Sequence, residues 1–162
     1  MHKLKTVFVD RDGVINQERK DYVKSISELK ICPNVAKNIK LLKDAGFLVI
    51  VITNQSAINR GIITHETINQ IHNSIQDHLK KYGTFLDGFY YCPHTPNENC
   101  NCRKPKPGLL QQAILELNID LNLSWMIGDN DSDIEAANSI GCKAIKINDK
   151  FSLDNAVEKI LN

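Results

Sequence analysis

Short runs of β-branched and aromatic residues alternate with amphipathic stretches along this chain, and that alternation limits its fold more than any other feature. The runs occupy residues 6–10, 48–53, 89–92, 125–128 and 144–147. After the first, Val35, Ile39 and Leu42 recur on one helical face with Lys37, Lys40 and Lys43 on the other, and Gly46 is placed to end the helix. Ile68, Ile71, Ile75 and Leu79 mark a second helix closing near Gly83. Leu110, Ala113, Ile114 and Leu117 mark a third behind Pro107, which suits a first helical position. Ile134 and Ala137 precede Gly141 in a fourth, and Leu153, Val157 and Ile160 mark the last. Strand then helix, repeated, predicts an α/β fold: a doubly wound, Rossmann-like, mostly parallel sheet.

The chain of 162 residues is expected to form one domain, residues 1–162, with no repeat or interdomain linker. A hydrophobic share of 42% argues against disorder. Lys and Arg number 20 against 19 acidic residues, without the basic excess of a nucleic-acid binder. No apolar run approaches the ~18 residues of a membrane span. The first run stops at Asp10, too short for a signal-peptide core, so a cytoplasmic protein with no membrane or nucleic-acid partner is expected, as a monomer.

Two connections are too long to be mere links. Residues 11–31 separate the first strand from the first helix, and residues 93–107 follow the third strand, against ~2–6 residues for ordinary loops of this kind. In open parallel sheets, ligands bind where the strands end. The strand ends here carry Asp10-Arg11-Asp12-Gly13, Thr53-Asn54-Gln55-Ser56, a loop closing in Arg103-Lys104, and Gly128-Asp129-Asn130-Asp131-Ser132-Asp133. Carboxylates gathered on one edge repel unless a hard cation sits among them, and Mg²⁺ is the natural candidate.

Phosphoryl transfer suits such a set. Asp10 can act as nucleophile, and Asp12 can give a proton to the leaving oxygen and then activate water. Thr53, Asn54 and Lys104 supply donors and positive charge for the phosphoryl oxygens, while Asp10 and Asp129 would hold the metal. Read alone, D-x-D-G is also an ordinary turn. Asp131 or Asp133 could serve only to cap the helix they open. A calcium loop of EF-hand type is excluded, because Gly13 falls at position 4 rather than 6.

These four motifs resemble those of the haloacid dehalogenase (HAD) superfamily phosphatases, with no inserted cap domain. DRDGVIN, TNQSAINRG, YYCPHTP and CNCRKPKPG are similar, more narrowly, to the D,D-heptose 1,7-bisphosphate phosphatases. The resemblance implies Asp10 as nucleophile and Asp12 as acid and base. It places Mg²⁺ on Asp10, the Asp12 main-chain carbonyl and Asp129, with Thr53 and Lys104 as phosphoryl stabilisers and Arg103 recognising substrate. Glu18, Tyr22, Asn54, Gln55, Ser56, Arg60 and Asn130 join Arg103 as expected substrate contacts. The implied reaction removes the 7-phosphate of D-glycero-D-manno-heptose 1,7-bisphosphate, a phosphorylated sugar, toward lipopolysaccharide or related glycans. Ala57 and Asn130 depart from the family pattern, where Gly and Lys are usual, and the Glu18 to Tyr22 stretch carries one extra residue.

Five cysteines are an odd number, and Cys92, Cys100 and Cys102 crowd together with His94. Three thiolates and one imidazole are the ligand set of a closed structural zinc site, with no open position for catalysis. Cys32 and Cys142 read as small buried apolar residues. His65, His72 and His78 share one helix and read as solvated or half-buried. Histidinol phosphate phosphatase is the enzymatic rival, and a receiver-type regulatory module is the rival outside enzymes.

Overall fold

The computed structural model describes residues 2–162. Five strands form one parallel sheet: β1 (Thr6–Val9), β2 (Leu48–Asn54), β3 (Gly88–Cys92), β4 (Trp125–Gly128) and β5 (Lys143–Lys146), in the order β3-β2-β1-β4-β5. Helices α1 (Val35–Asp44), α2 (His65–Lys80), α3 (Gly108–Leu117), α4 (Asp131–Ser139) and α5 (Leu153–Leu161) make the crossovers and the C-terminus. The expected doubly wound α/β architecture is therefore the one observed.

Alternation along each strand sorts the core into two layers. Val7, Val9, Val49, Val51, Ile127 and Ile145 face one side, where they meet α1, α2 and α5 through Ile39, Leu42, Ile71, Ile75 and Val157. Phe8, Ile50, Ile52 and Met126 face the other, against Leu109, Leu110 and Ala113 of α3 and Ala136 and Ala137 of α4. Strands covered on both faces need apolar residues at every position, which is why the sequence shows continuous runs there.

The start of α3 differs from expectation. Pro107 is the N-cap of α3 rather than its first helical residue, because the chain must first pass Asn101: the Gly108 N–H donates to the Asn101 carbonyl at 3.0 Å. A side chain at Gly108 would stand 2.8 Å from the Asn101 carbonyl carbon. Trp125 opens β4 half-buried, with Lys143 above its ring at 5.0 Å.

The strand order reverses between β1 and β4, so the crevice opens over their carboxyl ends. A receiver module has the order 2-1-3-4-5; this sheet does not. The long connection after β1 folds over that crevice. It is pinned by the Asp12–Asn16 and Asn16–Ile31 bridges and by Val14, Ile15 and Val23, all buried. Among the described residues it carries only a 3-10 turn, Ile26–Glu28, and no inserted cap.

Candidate active site

A cleft of about 380 Å³ lies at the carboxyl edge, lined by Asp10, Asp12, Lys104, Ser132 and Asp133 at its base. Glu18, Tyr22, Asn54, Gln55, Ser56, Arg60, Arg103 and Asn130 line its walls, as do Arg19, Lys20 and Val23. Every residue expected to contact substrate is thus brought to one cleft.

Asp10 follows β1 directly, with its N–H donating to the Ile127 carbonyl of β4 at 3.0 Å. Burial pushes its carboxyl up to about 7, the neighbouring Asp133 and Asp12 adding to the shift and the Lys104 ammonium opposing it. Lys104 Nζ donates to Asp10 Oδ1 at 3.0 Å, to Asp133 Oδ1 at 2.6 Å and to the Ile52 carbonyl at 2.7 Å. Burial opposes the Lys104 charge, but the two carboxylates outweigh it and raise the ammonium above its ordinary value.

Asp12 is held differently. Arg11 and Asn16 donate to its Oδ1 at 3.0 and 2.9 Å, and Gln55 to its Oδ2 at 2.8 Å. Burial alone would raise this carboxyl, but the Arg11 charge and these hydrogen bonds outweigh it and hold it below its ordinary value. Two neighbouring carboxylates are therefore pushed in opposite directions by their surroundings, Asp10 upward by burial and Asp12 downward by Arg11 and its hydrogen bonds.

Carboxylate oxygens of Asp10, Asp129 and Asp133 lie within 4.8 Å of one another. Burial, with the Asp133 charge next, also raises Asp129. An all-oxygen set whose members repel fits a hard cation such as Mg²⁺. Asp133 has little left to offer one, since its Oδ1 accepts from Lys104 and its Oδ2 from the Asn130 N–H. Asp10 and Asp129 are the available pair. Asp133 is a site residue whose role the sequence left open, and Asp131 does not cap α4: it pairs with Lys146 at the surface, while Asn130 is the N-cap.

Other expected residues take altered places. Thr53 is buried under the cleft rather than on its wall, its hydroxyl accepting from Gln55 Nε2 at 2.9 Å. Asn54 spends both ends of its amide on the Lys104 main chain, at 3.0 and 3.1 Å, and so braces the lysine. The Gln55 amide nitrogen is committed to Asp12 and Thr53. Arg60 Nε donates to Ser56 Oγ at 3.3 Å and Arg103 to the His94 carbonyl at 3.2 Å, which holds both guanidiniums at the cleft. Asn130 Nδ2 donates to Asp129 Oδ1 at 3.1 Å. Burial, with the Asp129 charge next, raises Glu18.

Cys92, His94, Cys100 and Cys102 converge beside this cleft. Cys92 Sγ lies 3.1 Å from Cys102 Sγ and 3.6 Å from Cys100 Sγ, and His94 Nδ1 is 3.3 Å from Cys92 and Cys102. No disulfide links them. Zn–S bonds of ~2.3 Å in a tetrahedron put donors under ~4 Å apart, so the quartet fits a structural zinc ion. The Arg103 N–H donates to Cys100 Sγ at 3.3 Å, tying the cluster to the Arg103-Lys104 pair.

A HAD-hydrolase-like family model matches residues 101–158. The D-glycero-beta-D-manno-heptose-1,7-bisphosphate 7-phosphatase of Helicobacter pylori is 44% identical over 137 residues, covering 84% of this chain and 79% of that one. The chain belongs to the heptose bisphosphate phosphatases of the HAD superfamily. A probable D-glycero-D-manno-heptose-1,7-bisphosphate 7-phosphatase of Thermoplasma volcanium is 38% identical to this HAD phosphatase and covers 85% of it and 94% of its own length. The crystal structure of D,D-heptose 1,7-bisphosphate phosphatase from B. bronchiseptica, complexed with magnesium and phosphate, superimposes with a TM-score of 0.90 at 30% identity, covering 98% of both chains. Membership in this HAD family accounts for the paired acidic motifs of β1 and β4.

Sequence reasoning gave no place to two buried residues that lie behind this cleft. His72, read as solvated or half-buried, is only 5% exposed and stacks on Phe89 at 4.3 Å. Arg11 is fully buried. Nothing in the helical spacing of His72 could have paired it with Arg11.

Proposed function

We propose that this protein is a magnesium-dependent phosphatase that removes the 7-phosphate of D-glycero-D-manno-heptose 1,7-bisphosphate. The observation that carries this reading is the convergence of Asp10, Asp12 and Lys104 in one cleft that also presents Arg60 and Arg103. The names of relatives at 38–44% identity favour this substrate over histidinol phosphate.

Asp10 and Asp129 would hold Mg²⁺, together with the Asp12 main-chain carbonyl. Bound there, the metal offsets the charge between the Asp10 carboxylate and the incoming phosphate. An Asp10 oxygen attacks phosphorus while the bond to the C7 oxygen breaks, and the leaving alkoxide takes its proton from Asp12. Asp12, now a carboxylate, takes a proton from water whose oxygen attacks the phosphoaspartate. The phosphorus bond to Asp10 breaks and phosphate leaves. Lys104, held by Asp133 and braced by Asn54, balances charge on the phosphoryl oxygens. The Thr53 hydroxyl would join it by donating to the same oxygens.

With no cap over the cleft, specificity falls to the walls: Glu18 and Tyr22 on one side, Ser56 and Arg60 on another, Arg103 and Asn130 beside the nucleophile. A guanidinium suits the distal phosphate by paired hydrogen bonds. The zinc quartet serves to order the loop that delivers Arg103 and Lys104. The chain would work as a single catalytic domain, a cytoplasmic monomer, supplying a heptose 1-phosphate for surface glycans. No helix among the described residues is long and apolar enough to cross a membrane.

The test is phosphate release from a panel of heptose 1,7-bisphosphate, histidinol phosphate and nucleoside monophosphates with magnesium. The heptose bisphosphate should give the highest kcat/KM. Histidinol phosphate turned over faster would overturn the substrate assignment, and no release from any member would overturn the phosphatase.

A further inference from the structure

Arg11 lies between the two catalytic carboxylates in sequence yet turns away from the cleft into the protein, where it is fully buried. Its three nitrogens each have a separate partner. Nε donates to Asn16 Oδ1 at 3.1 Å and Nη2 to Asp12 Oδ1 at 3.0 Å, while Nη1 meets His72 Nε2 at 3.3 Å. A guanidinium has no acceptor, so His72 Nε2 must accept, and its ring is neutral with the proton on Nδ1. Burial, with the Arg11 charge next, holds the imidazole down to about 3, which keeps it in that form. Stacking on Phe89 at 4.3 Å and an interplanar angle of 13° fixes the ring plane, and the edge of Tyr91 closes it in.

We propose that His72 and Arg11 form a buried relay that orients the Asp12 carboxylate, making both positioning residues for the proton transfers at the cleft. The inference rests on the phosphatase reading. Its physical basis is the shortage of acceptors around a dry guanidinium. Without His72, Nη1 is a buried donor with no partner, and such a group is costly to leave unmet. The guanidinium then turns to find another acceptor and takes the Asp12 oxygen it holds with it. Asn16 couples the same elements, donating to Asp12 Oδ1 at 2.9 Å while accepting from Arg11. The relay runs from α2 to the β1 loop and reaches substrate only through Asp12.

The experiment compares wild type, His72→Phe and His72→Gln on p-nitrophenyl phosphate with magnesium. Phe keeps a flat ring on Phe89 but offers no acceptor, whereas the Gln Oε1 can replace Nε2. For His72→Phe, kcat should fall about 10–100-fold with KM little changed, the usual size of a partner acting behind a catalytic group. His72→Gln should recover most of the lost kcat. In an Arg11→Met background, His72→Phe should cost little more, since the relay is already broken. Should His72→Phe fail to fold, His72→Met carries the same comparison. A folded His72→Phe or His72→Met with wild-type kcat would overturn the relay and leave His72 as core alone. A His72→Gln as slow as His72→Phe would overturn it too. Wild-type protein inert toward both the aryl phosphate and the sugar bisphosphate would instead overturn the phosphatase reading, and the relay with it.

Discussion

Gly13 and Asp129 occupy each other's space: a methyl on Gly13 would stand 2.5 Å from Asp129 Cγ. The glycine also holds a φ of +88°, a conformation that side chains resist. The turn after β1 is therefore shaped around the carboxylate that β4 delivers, and the two acidic motifs close on each other only because this position has no side chain.

Gly13→Ala should push Asp129 away from Asp10 and weaken magnesium activation. We expect turnover at fixed magnesium to fall about 100-fold, the scale of a displacement near 1 Å. A magnesium titration of kcat checks it, and an unshifted titration curve contradicts it.

Asp10→Asn should abolish turnover and leave no acid-stable phosphoryl group on the protein, because an amide cannot accept one. Its melting temperature should stay near wild type, since Lys104 keeps Asp133 as partner at 2.6 Å. Asp12→Asn should retain the nucleophile but lose about 10²–10⁴ in rate. Near-normal activity in Asp10→Asn would exclude the covalent route.

Asp133→Asn leaves Lys104, itself 4% exposed, with Asp10 as its one carboxylate beside the Ile52 carbonyl. Losing the shorter of its two carboxylate contacts, together with the acceptor of the Asn130 N–H, should cost about 1–3 kcal/mol. Urea unfolding should show a loss of that order, and kcat should fall with it as the ammonium loses its second anchor. A stability equal to wild type would mean that the 2.6 Å contact contributes nothing.

Purified protein should carry about one zinc, and Cys100→Ser should lower both zinc content and thermal stability. Activity should fall because Arg103, whose N–H bonds Cys100 Sγ, and Lys104 lose their support. Zinc-free protein with full activity and an ordered loop would contradict this.

His72 makes stability depend on acid. An unfolded histidine takes up its proton near pH 6.5, while burial and then Arg11 hold the folded one down to about 3. Between those values only the unfolded chain is protonated, so stability is lost as pH falls from about 6.5 toward 3 and is untouched above. From pH 7 to 4.5 this amounts to about 2–3 kcal/mol. Urea unfolding of wild type and His72→Gln at both pH values measures it, and equal losses in the two proteins would contradict it.

The five strands, five helices and the cluster of Cys92, His94, Cys100 and Cys102 were legible because each is written locally. A strand covered on both faces must be apolar throughout, a helix repeats every three to four residues, and thiolates cluster where a metal replaces a core. Asp10, Asp12, Lys104 and Asp129 were legible for a related reason: the strand ends of a parallel sheet share one edge whatever their order. The sequence by itself therefore determined which residues meet at the cleft. Which of them face it was decided by tertiary structure. Thr53 lies beneath the floor, Asn54 turns to the Lys104 main chain and Asp133 anchors the lysine. Arg11 and His72 find each other across the β1–α2 interior. These pairings depend on strand register and on how α2 seats against the sheet, and a buried polar group takes whichever partner that packing brings within hydrogen-bond reach.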